Sequence, residues 1–360
     1  MHLSEIAKCR LVNQQITHTA FKTAAEMVAW FGAIQAQEYA QTKWSLGLRL
    51  PHLKDNDIEK DFTGGNILRT HLLRPTWHFV APEDIRWMLM LTAPRVHALN
   101  SFMYQKLELD ATIFNRCNNT LVKSLQGGKQ LTRDAINNQF KKNKIKAAGH
   151  RLSYIMMQAE LDGIICSGAR QGNQFTYALL EERVPKFKAI NRDQALAELT
   201  KRYFISRGPA TIKDFSTWSG LRVGDCKNGV DMVGRHFDGE TINGEAYYFT
   251  HVISPPAKQF QKIQLLPLYD EFIMGYKDRS AIMQYKNKGK PSSAFLYDNM
   301  ILLKGQIAGT WKRSLKTKYI DFEYDFFGDL NKTQSSAFIK AIHRFEKFNS
   351  LPVSMKRLGR

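Results

Sequence analysis

The pattern of hydrophobic and polar positions near the start of the chain predicts an amphipathic helix. Apolar residues recur there at helical spacing: Ala24, Met27, Val28 and Phe31. Thr23 and Glu26 form a Thr-x-x-Glu capping box in front of this stripe. Gln35 follows Phe31 by four residues, so a helix that continued would bury a carboxamide. A buried carboxamide needs hydrogen-bond partners or an open pocket in front of it.

A β-hairpin between helices is predicted next. Residues 67–73 and 76–80 are β-rich runs on either side of Arg74-Pro75. Pro82, followed by two acidic residues, is a favourable helix start. Residues 55–61 have the composition of an acidic turn. The pattern predicts helices followed by a hairpin, which is the outline of a winged helix.

The same order recurs in a second stretch of the chain. Thr132 can cap one helix, and Gly149 precedes another. Residues 164–167 and 175–177 then have the pattern of two strands around a tip at 168–174. We therefore predict a second copy of the helix, helix and hairpin unit.

The third copy has the clearest signals. Apolar residues at 195–199 mark a helix, Thr211 starts a second one, and residues 223–233 can form a recognition helix. Asn243-Gly244 is a strong two-residue hairpin turn. This order of elements is typical of DNA-binding modules, although it is also a common structural scaffold.

From about residue 256 the pattern changes to strands. Runs of strand character end in a helix at 335–348, which predicts a small antiparallel barrel or sheet closed by that helix. The predicted fold class is therefore α+β, with tandem winged-helix modules followed by a small antiparallel β-barrel or sheet domain. We expect modules at 1–95, 96–187 and 188–255, and a C-terminal domain at 256–360.

Composition adds a polyanionic partner to this outline. The 360 residues include 52 Lys and Arg against 33 Asp and Glu, a formal charge of +19. A charge of this size favours nucleic acid over a membrane surface, although a basic protein without a specific partner is the alternative. We expect a monomer that binds double-stranded DNA, with no membrane and no obligate protein partner.

Cysteine usage predicts neither a metal site nor an oxidising compartment. The four cysteines lie far apart and form no Cys-x-x-Cys pair: Cys9, Cys117, Cys166 and Cys226. We therefore expect no metal and no organic cofactor. The N-terminus has no apolar signal core, and the apolar runs are too short to span a bilayer. We expect a cytoplasmic protein associated with the nucleoid.

Basic residues at the predicted hairpins and loops are candidates for phosphate contacts. They lie beside the first hairpin, in a basic loop at 141–146, at the second hairpin tip and before the third recognition helix: Arg69, Arg74, Lys141, Lys142, Lys144, Arg170 and Arg222. A basic loop is also commonly only solvated. For His78, beside the first hairpin, a local structural partner and a pocket role are equally open.

Gln35 and Gln37 are the candidate catalytic pair. On a continuous helix their side chains would point about 200° apart, but on an extended segment they would lie on the same side. Two carboxamides facing one pocket would be a functional arrangement. The Gln-x-Gln pattern alone is weak, because it occurs again at Gln259-Phe260-Gln261.

Several blocks together are more specific than any single motif. They occur in order over nearly the whole chain, at Gln35-Ala36-Gln37 and at residues 69–84, 208–221, 266–280 and 309–311. With these blocks the chain resembles the AlkZ/YcaQ-like winged-helix family. The resemblance implies three tandem winged helices and a C-terminal β-barrel arranged around DNA. It also implies a DNA glycosylase that excises alkylated bases. The best-known member of the family opens interstrand crosslinks.

The resemblance assigns catalysis to Gln35 and Gln37, because the AlkZ-like branch has a Gln-x-Gln motif where the YcaQ-like branch has Gln-x-Asp. Four residues are candidates for the substrate pocket: His78, Asp270, Tyr276 and Arg279. Asp270 and Glu271 are adjacent, so on a strand only one of them could enter a shared site.

The chemistry of a carboxamide limits what these residues can do. Glutamine takes up no proton near neutral pH, so Gln37 is not a conventional general base. The pair can hold and orient a water and offset charge at the sugar. Such a site suits purines alkylated at N7 or N3, which are cationic and leave as neutral bases. Strand-cleaving lyase activity is not expected; Lys43 is the nearest amine to test.

The alternative is a non-catalytic winged-helix DNA-binding protein, such as a regulator. In that case Gln35 and Gln37 would only satisfy each other and the backbone. The two hypotheses differ in whether the pair faces a solvent-open, positively charged concavity.

Overall fold

The computed structural model describes residues 1–185, 189–250, 262–283 and 298–358. The expected module boundaries at 187/188 and 255/256, and the second Gln-x-Gln at 259–261, lie outside the described residues. The helices are α1 (Leu3–Asn13), α2 (Ala24–Phe31), α3 (Tyr39–Arg49), α4 (Asp55–Gly64), α5 (Pro82–Lys106), α6 (Ala111–Leu125), α7 (Arg133–Lys142), α8 (Gly149–Leu161), α9 (Leu180–Arg183), α10 (Arg192–Arg207), α11 (Ile212–Ser219), α12 (Val223–Val233), α13 (Glu271–Met274) and α14 (Lys332–Asn349). The strands are β1 (Ala33–Gln35), β2 (Leu68–His71), β3 (Trp77–Val80), β4 (Leu131–Thr132), β5 (Ile165–Ser167), β6 (Thr176–Leu179), β7 (Ala210–Thr211), β8 (Asp238–Ile242), β9 (Glu245–Phe249), β10 (Ile263–Leu266), β11 (Asn299–Leu303), β12 (Gln306–Leu315), β13 (Ile320–Phe326) and β14 (Val353–Arg357).

One unit occurs three times along the chain. A helix leads into a short strand, two helices and an antiparallel hairpin, as in α2, β1, α3, α4, β2 and β3. The three sheets have the orders β1-β3-β2, β4-β6-β5 and β7-β9-β8, so each short strand pairs with the second strand of its hairpin. The predicted α+β class and the repeated order of helices and hairpin are confirmed. The short first strands were not predicted, because two or three residues carry no period.

The local signals of the sequence act as expected at several element ends. Thr23 accepts a hydrogen bond from the Glu26 amide at 3.2 Å, which closes the capping box of α2. Asn243 and Gly244 have φ of 50° and 80°, the left-handed values that a two-residue hairpin turn requires. The acidic segment at 55–61 was wrongly predicted as a turn. It forms most of α4, with acidic residues in the first turn, where they favour a helix.

The C-terminal strands form one five-stranded sheet of order β10-β11-β12-β13-β14. The expectation of a small antiparallel barrel or sheet is corrected in one respect. The last pair, β13 and β14, is parallel, because α14 carries the chain back before the final strand. Within the part of the chain that the structure describes, β10 and β14 are edges, so the strands form an open mixed sheet.

The sheet β1-β3-β2 lies between two hydrophobic clusters. Ile34 and Phe79, which are opposite each other on neighbouring strands, belong to a cluster that also contains Trp311 and Phe345 of the C-terminal part. The alternate positions Ala33, Leu68 and Val80 belong to a second cluster with α5 and α10. Full burial of each large apolar side chain contributes about 1.5–3 kcal/mol. Both faces of the strand that ends at Gln35 are therefore held by cores.

Two glycines of α12 provide a test of this packing. A Cβ on Gly229 would lie 2.2 Å from Thr200 Oγ1, because α10 and α12 pack closely there, whereas a Cβ on Gly224 meets no atom within 4 Å. We expect Gly229→Ala to lower the free energy of unfolding by about 1–3 kcal/mol through overpacking. Gly224→Ala, the control in the same helix, should raise it by about 0.4–1 kcal/mol. Denaturant unfolding measures both; equal effects would contradict the close α10–α12 contact.

The described ranges lack two features that would indicate a membrane or a metal ion. No helix within them is both long and apolar enough to cross a membrane. No cluster of three or more His, Cys, Asp or Glu side chains suited to a metal ion occurs among the same residues.

Candidate active site

Gln35 is the last residue of a strand and not part of a helix. α2 ends at Phe31, and Gly32, with φ of 74°, turns the chain into β1. Pairing continues one residue further, since the Ala36 amide donates to Trp77 O at 2.7 Å. Of the two courses that the sequence left open at Gln35, the chain takes the extended one, which favours the arrangement with both glutamines on one side.

Every polar group of Gln35 except its side-chain amide nitrogen has a partner among the described residues. The backbone N–H donates to Glu271 Oε1 at 2.8 Å, and the backbone carbonyl accepts from Thr42 Oγ1 at 3.1 Å. The side-chain carbonyl accepts from Arg74 Nη2 at 3.0 Å. Because arginine only donates, this contact fixes which end of the carboxamide faces Arg74. With 5% of its surface exposed, Gln35 is a rigid, buried group.

Gln37 differs from Gln35 in both exposure and contacts. It lies between β1 and Glu38, the N-cap of α3, and is half-buried. No hydrogen bond to its side chain occurs within the described ranges. A partly exposed carboxamide next to a rigid buried one is free to bind a water or a substrate group.

His78 lies directly opposite Gln35, on β3. Facing residues of an antiparallel pair lie on the same side of the sheet, so both side chains share one face. The ring is fully buried; Nδ1 donates to Thr76 O at 2.9 Å, whereas Nε2 has no partner in the described structure. Burial, and then the charge of Arg74, hold the pKa of His78 well below its ordinary value, so the ring is neutral.

Arg74 joins Gln35 to the third repeated unit. Its backbone is left-handed, with φ of 56°, and its side chain lies against Gly220, where an added Cβ would be 3.1 Å from Arg74 Cγ. Burial lowers the pKa of Arg74; Glu271 opposes this shift, and the nearby cations Arg207 and Arg279 add to it. The carboxamide of Gln35 therefore sits beside a concentration of positive charge.

Glu271 is the residue that sequence reasoning missed. Its Oε2 accepts from Arg207 Nη2 at 2.7 Å and from Trp218 Nε1 at 2.9 Å, while Oε1 holds the Gln35 amide. Arg207 in turn donates to Phe31 O and Ala33 O, each at 2.9 Å. The fully buried Arg207–Glu271 pair thus holds the backbone from Phe31 to Gln35 through three hydrogen bonds.

The structure places Asp270 in the interior, in a different contact from Glu271. It forms a buried bidentate pair with Arg49 at 2.8 and 2.9 Å and accepts from Ser45 Oγ at 2.6 Å. Burial by itself raises the pKa of Asp270. The Arg49 charge and the hydrogen bonds outweigh burial, so the pKa lies below its ordinary value. Asp270 also N-caps α13, so the expectation that Asp270 and Glu271 lie on a strand is wrong.

Tyr276 and Arg279 also contact the protein's own framework. Tyr276 is fully buried; its hydroxyl donates to Arg207 O at 2.8 Å and accepts from Gln14 Nε2 at 2.9 Å. Arg279 is half-buried, and its Nε donates to Ile273 O at 3.0 Å. Neither side chain has a hydrogen bond to Gln35 or Gln37 among the described residues.

Arg69 and Arg170 both lie against one aromatic ring, that of Phe175. Their guanidinium carbons lie 4.6 and 4.5 Å from the Phe175 ring centroid. Arg69 is buried and donates to Ala36 O at 2.9 Å, so it supports the backbone just before Gln37. Burial lowers the pKa of Arg69 to about 10. Arg170 is half-buried and closer to solvent.

The remaining predicted phosphate contacts are exposed. Arg222 N-caps α12, two residues after Gly220. Lys141, Lys142 and Lys144 are exposed, but the first two are the last residues of α7 and not part of a loop. Lys43, the candidate amine, is instead paired with Asp55 and Glu59, each at 2.8 Å.

The whole chain has the fold of a solved DNA glycosylase. Streptomyces sahachiroi DNA glycosylase AlkZ matches it with a TM-score of 0.77 at 17% sequence identity, over 99% of this chain and 100% of that one. A curated relative from the same organism, named an interstrand DNA cross-link repair glycosylase, is 21% identical over 328 residues, 84% of this chain and 85% of the relative.

The family assignment follows from the sequence. The family model described as DNA glycosylase AlkZ-like matches residues 28–348, a range that includes Gln35 and Gln37. The chain therefore belongs to the AlkZ-like DNA glycosylase family, and the resemblance seen in its sequence blocks is confirmed.

Proposed function

We propose that this protein is a monofunctional DNA glycosylase that hydrolyses the N-glycosidic bond of cationic N7- or N3-alkylated purines, including purines joined in interstrand crosslinks. The observation that carries the proposal is the arrangement of Gln35 and Gln37 within a chain of this family. Gln35 is fixed by three partners, and Gln37, beside it, is half-buried with no hydrogen bond among the described residues.

The two glutamines have different roles in this mechanism. The side-chain carbonyl oxygen of Gln35 already accepts from Arg74. Gln35 therefore holds the strand and presents its side-chain amide nitrogen to the substrate. Gln37 is free to use its carbonyl oxygen to orient a water and to offset positive charge developing at the sugar. Since an alkylated purine leaves as a neutral base, the site needs no strong general acid.

DNA would be held by the three repeated units acting as winged helices. Arg222 and the lysines around 141–144 are exposed and suited to phosphates. Arg74 lies between Gln35 and the α11–α12 turn that leads to Arg222, so positive charge extends from the buried carboxamide to the surface. A single chain carries all of these contacts, which supports a monomer on duplex DNA. Extracting a base from the duplex costs a few kcal/mol, and the cost is least for a damaged base.

Base release from defined lesions tests the proposal. A duplex with one N7-methylguanine should be cut at that position after alkali treatment, while a duplex with a neutral lesion such as hypoxanthine should stay largely intact. The reason is that a carboxamide cannot protonate a neutral leaving base. Equal release of both lesions would contradict the mechanism. Salt-sensitive binding without release of N7-methylguanine or of a bulkier N7 adduct would favour the non-catalytic DNA-binding protein.

A further inference from the structure

A basic groove lies between α14 and the edge strand β10, away from Gln35 and Gln37. It encloses about 690 Å³. Its lining consists of four cationic residues, two hydroxyl residues and three apolar ones: Lys262, Lys332, Lys340, Arg344, Thr333, Ser336, Ile263, Ala337 and Ala341. No carboxylate is among the described residues that line it. The groove therefore has the charge and the donor groups of an anion site.

Two of the cations in this groove are available for a ligand. Lys332 and Lys340 are exposed, and neither has an ion pair or hydrogen bond within the described ranges. Lys332 also begins α14, where the helix dipole favours negative charge. Arg344 donates to Gly47 O at 3.2 Å and to Leu48 O, and burial lowers its pKa to about 10, so it stays charged at neutral pH.

The groove is longer than a single anion requires. Residues 332, 336, 340 and 344 follow each other at four-residue spacing along α14. At 1.5 Å per residue, the cations from 332 to 344 extend over about 18 Å. The floor between them is made of small residues, Ala337 and Ala341, which leaves room for a chain to approach the helix. This shape fits a run of phosphates better than one phosphate group.

The groove is connected to the candidate active site by α3. Gln37 lies just before the first turn of α3, and Arg344 contacts the carbonyls at its opposite end. α3 has 11 residues, so the two ends are about 16 Å apart. Along B-DNA, at 3.4 Å per base pair, this distance corresponds to about five base pairs. A duplex with its lesion at Gln37 can reach the groove only with its flanking part.

We propose that this groove binds the phosphate backbone of duplex DNA about five base pairs from the lesion. The inference rests on the proposed function, since it places the lesion at Gln37. Hydroxyl groups of Thr333 and Ser336 would add neutral contacts to phosphate oxygens. The groove contributes affinity and register, and it takes no part in breaking the glycosidic bond.

The test compares duplexes that can and cannot reach the groove. One has about four base pairs on each side of its centre, closed by hairpin loops, and the other has about twelve. Wild type is compared with the double variant Lys332→Gln, Lys340→Gln and with a matched control, Lys106→Gln, Lys123→Gln, which neutralises two exposed lysines on α5 and α6. Each duplex carries a stable abasic-site analogue at its centre to place that position at Gln37, and binding is measured between 50 and 200 mM salt.

For the long duplex, removal of two phosphate contacts should reduce the slope of log K against log salt by about 1.8. The loss of affinity between 50 and 200 mM salt then becomes about tenfold smaller for the groove variant than for wild type. The short duplex and the control variant should show the wild-type slope. Single-turnover excision at saturating DNA should not change.

Two results would overturn the groove assignment: a wild-type slope for the groove variant on the long duplex, or an equal change on both duplexes. Because the abasic-site analogue has no base to release, the binding result is independent of base release. A protein that binds with the expected slopes but releases no base would disprove the proposed glycosylase activity and leave the groove assignment standing.

Discussion

Gln37→Ala is expected to lower the rate of N7-methylguanine excision by about a hundredfold, the usual effect of removing one well-placed polar group from a catalytic site. Duplex affinity should be unchanged, because Gln37 carries no charge and contributes no hydrogen bond to the described structure. Single-turnover excision and equilibrium binding measure the two effects separately. The alanine leaves Gln35 and its three partners in place, so the fold should be unaffected.

The matched control is Gln105→Ala, which removes an exposed glutamine near the end of α5 and should leave excision at the wild-type rate. Gln37→Asp replaces the carboxamide with a shorter carboxylate, which can still orient a water and can act as a base, so this variant should retain measurable activity. If Gln37→Ala excises at the wild-type rate, Gln37 has no part in the mechanism. If Gln37→Asp is completely inactive, the water-positioning role is wrong.

Glu271→Gln is expected to lower the free energy of unfolding by about 3–5 kcal/mol, because it leaves the buried guanidinium of Arg207 without a counter-charge. Both side chains are fully buried and 2.7 Å apart. The same change weakens the hydrogen bonds that hold the backbone from Phe31 to Gln35. The protein that remains folded should therefore also excise N7-methylguanine more slowly. Denaturant unfolding and single-turnover excision below the unfolding transition measure the two consequences.

An exposed ion pair is the control for this prediction. Asp329 is fully exposed and lies 3.9 Å from Arg357. Asp329→Asn should not measurably change stability, because exposed pairs are screened by solvent. A loss for Glu271→Gln no greater than that for Asp329→Asn would show that the Arg207–Glu271 pair does not stabilise the site.

Local rules of the sequence were sufficient for much of the fold. Capping residues, a proline at a helix start and an Asn-Gly turn each act within four residues, so they are readable without knowledge of the rest of the chain. They located α2, α5 and the β8–β9 hairpin, and their repetition gave the three-unit outline. They could not show that β14 is parallel to β13, because strand direction depends on where α14 packs.

At the candidate site, what the sequence predicted and what only packing decided are easier to separate. The sequence selected Gln35 and Gln37, and both lie within the range that the family model matches. It favoured Asp270 over Glu271 for the pocket, whereas the structure brings Glu271 to Gln35 across 236 residues of sequence. It also treated Arg69 as a surface contact, although Arg69 is buried beneath Phe175. Adjacent acids, and arginines in similar positions, differ only in the partners that packing gives them.

By itself, then, the sequence determined the class of protein and the repeated units, and it selected the two glutamines as candidate site residues. These inferences depend on short-range pattern and on blocks in a fixed order. Only the tertiary structure decided that Gln35 is a fixed strand residue held by Arg74 and Glu271 while Gln37 is left without a partner among the described residues. The reason is physical: burial and hydrogen bonding between distant segments set the freedom of a side chain.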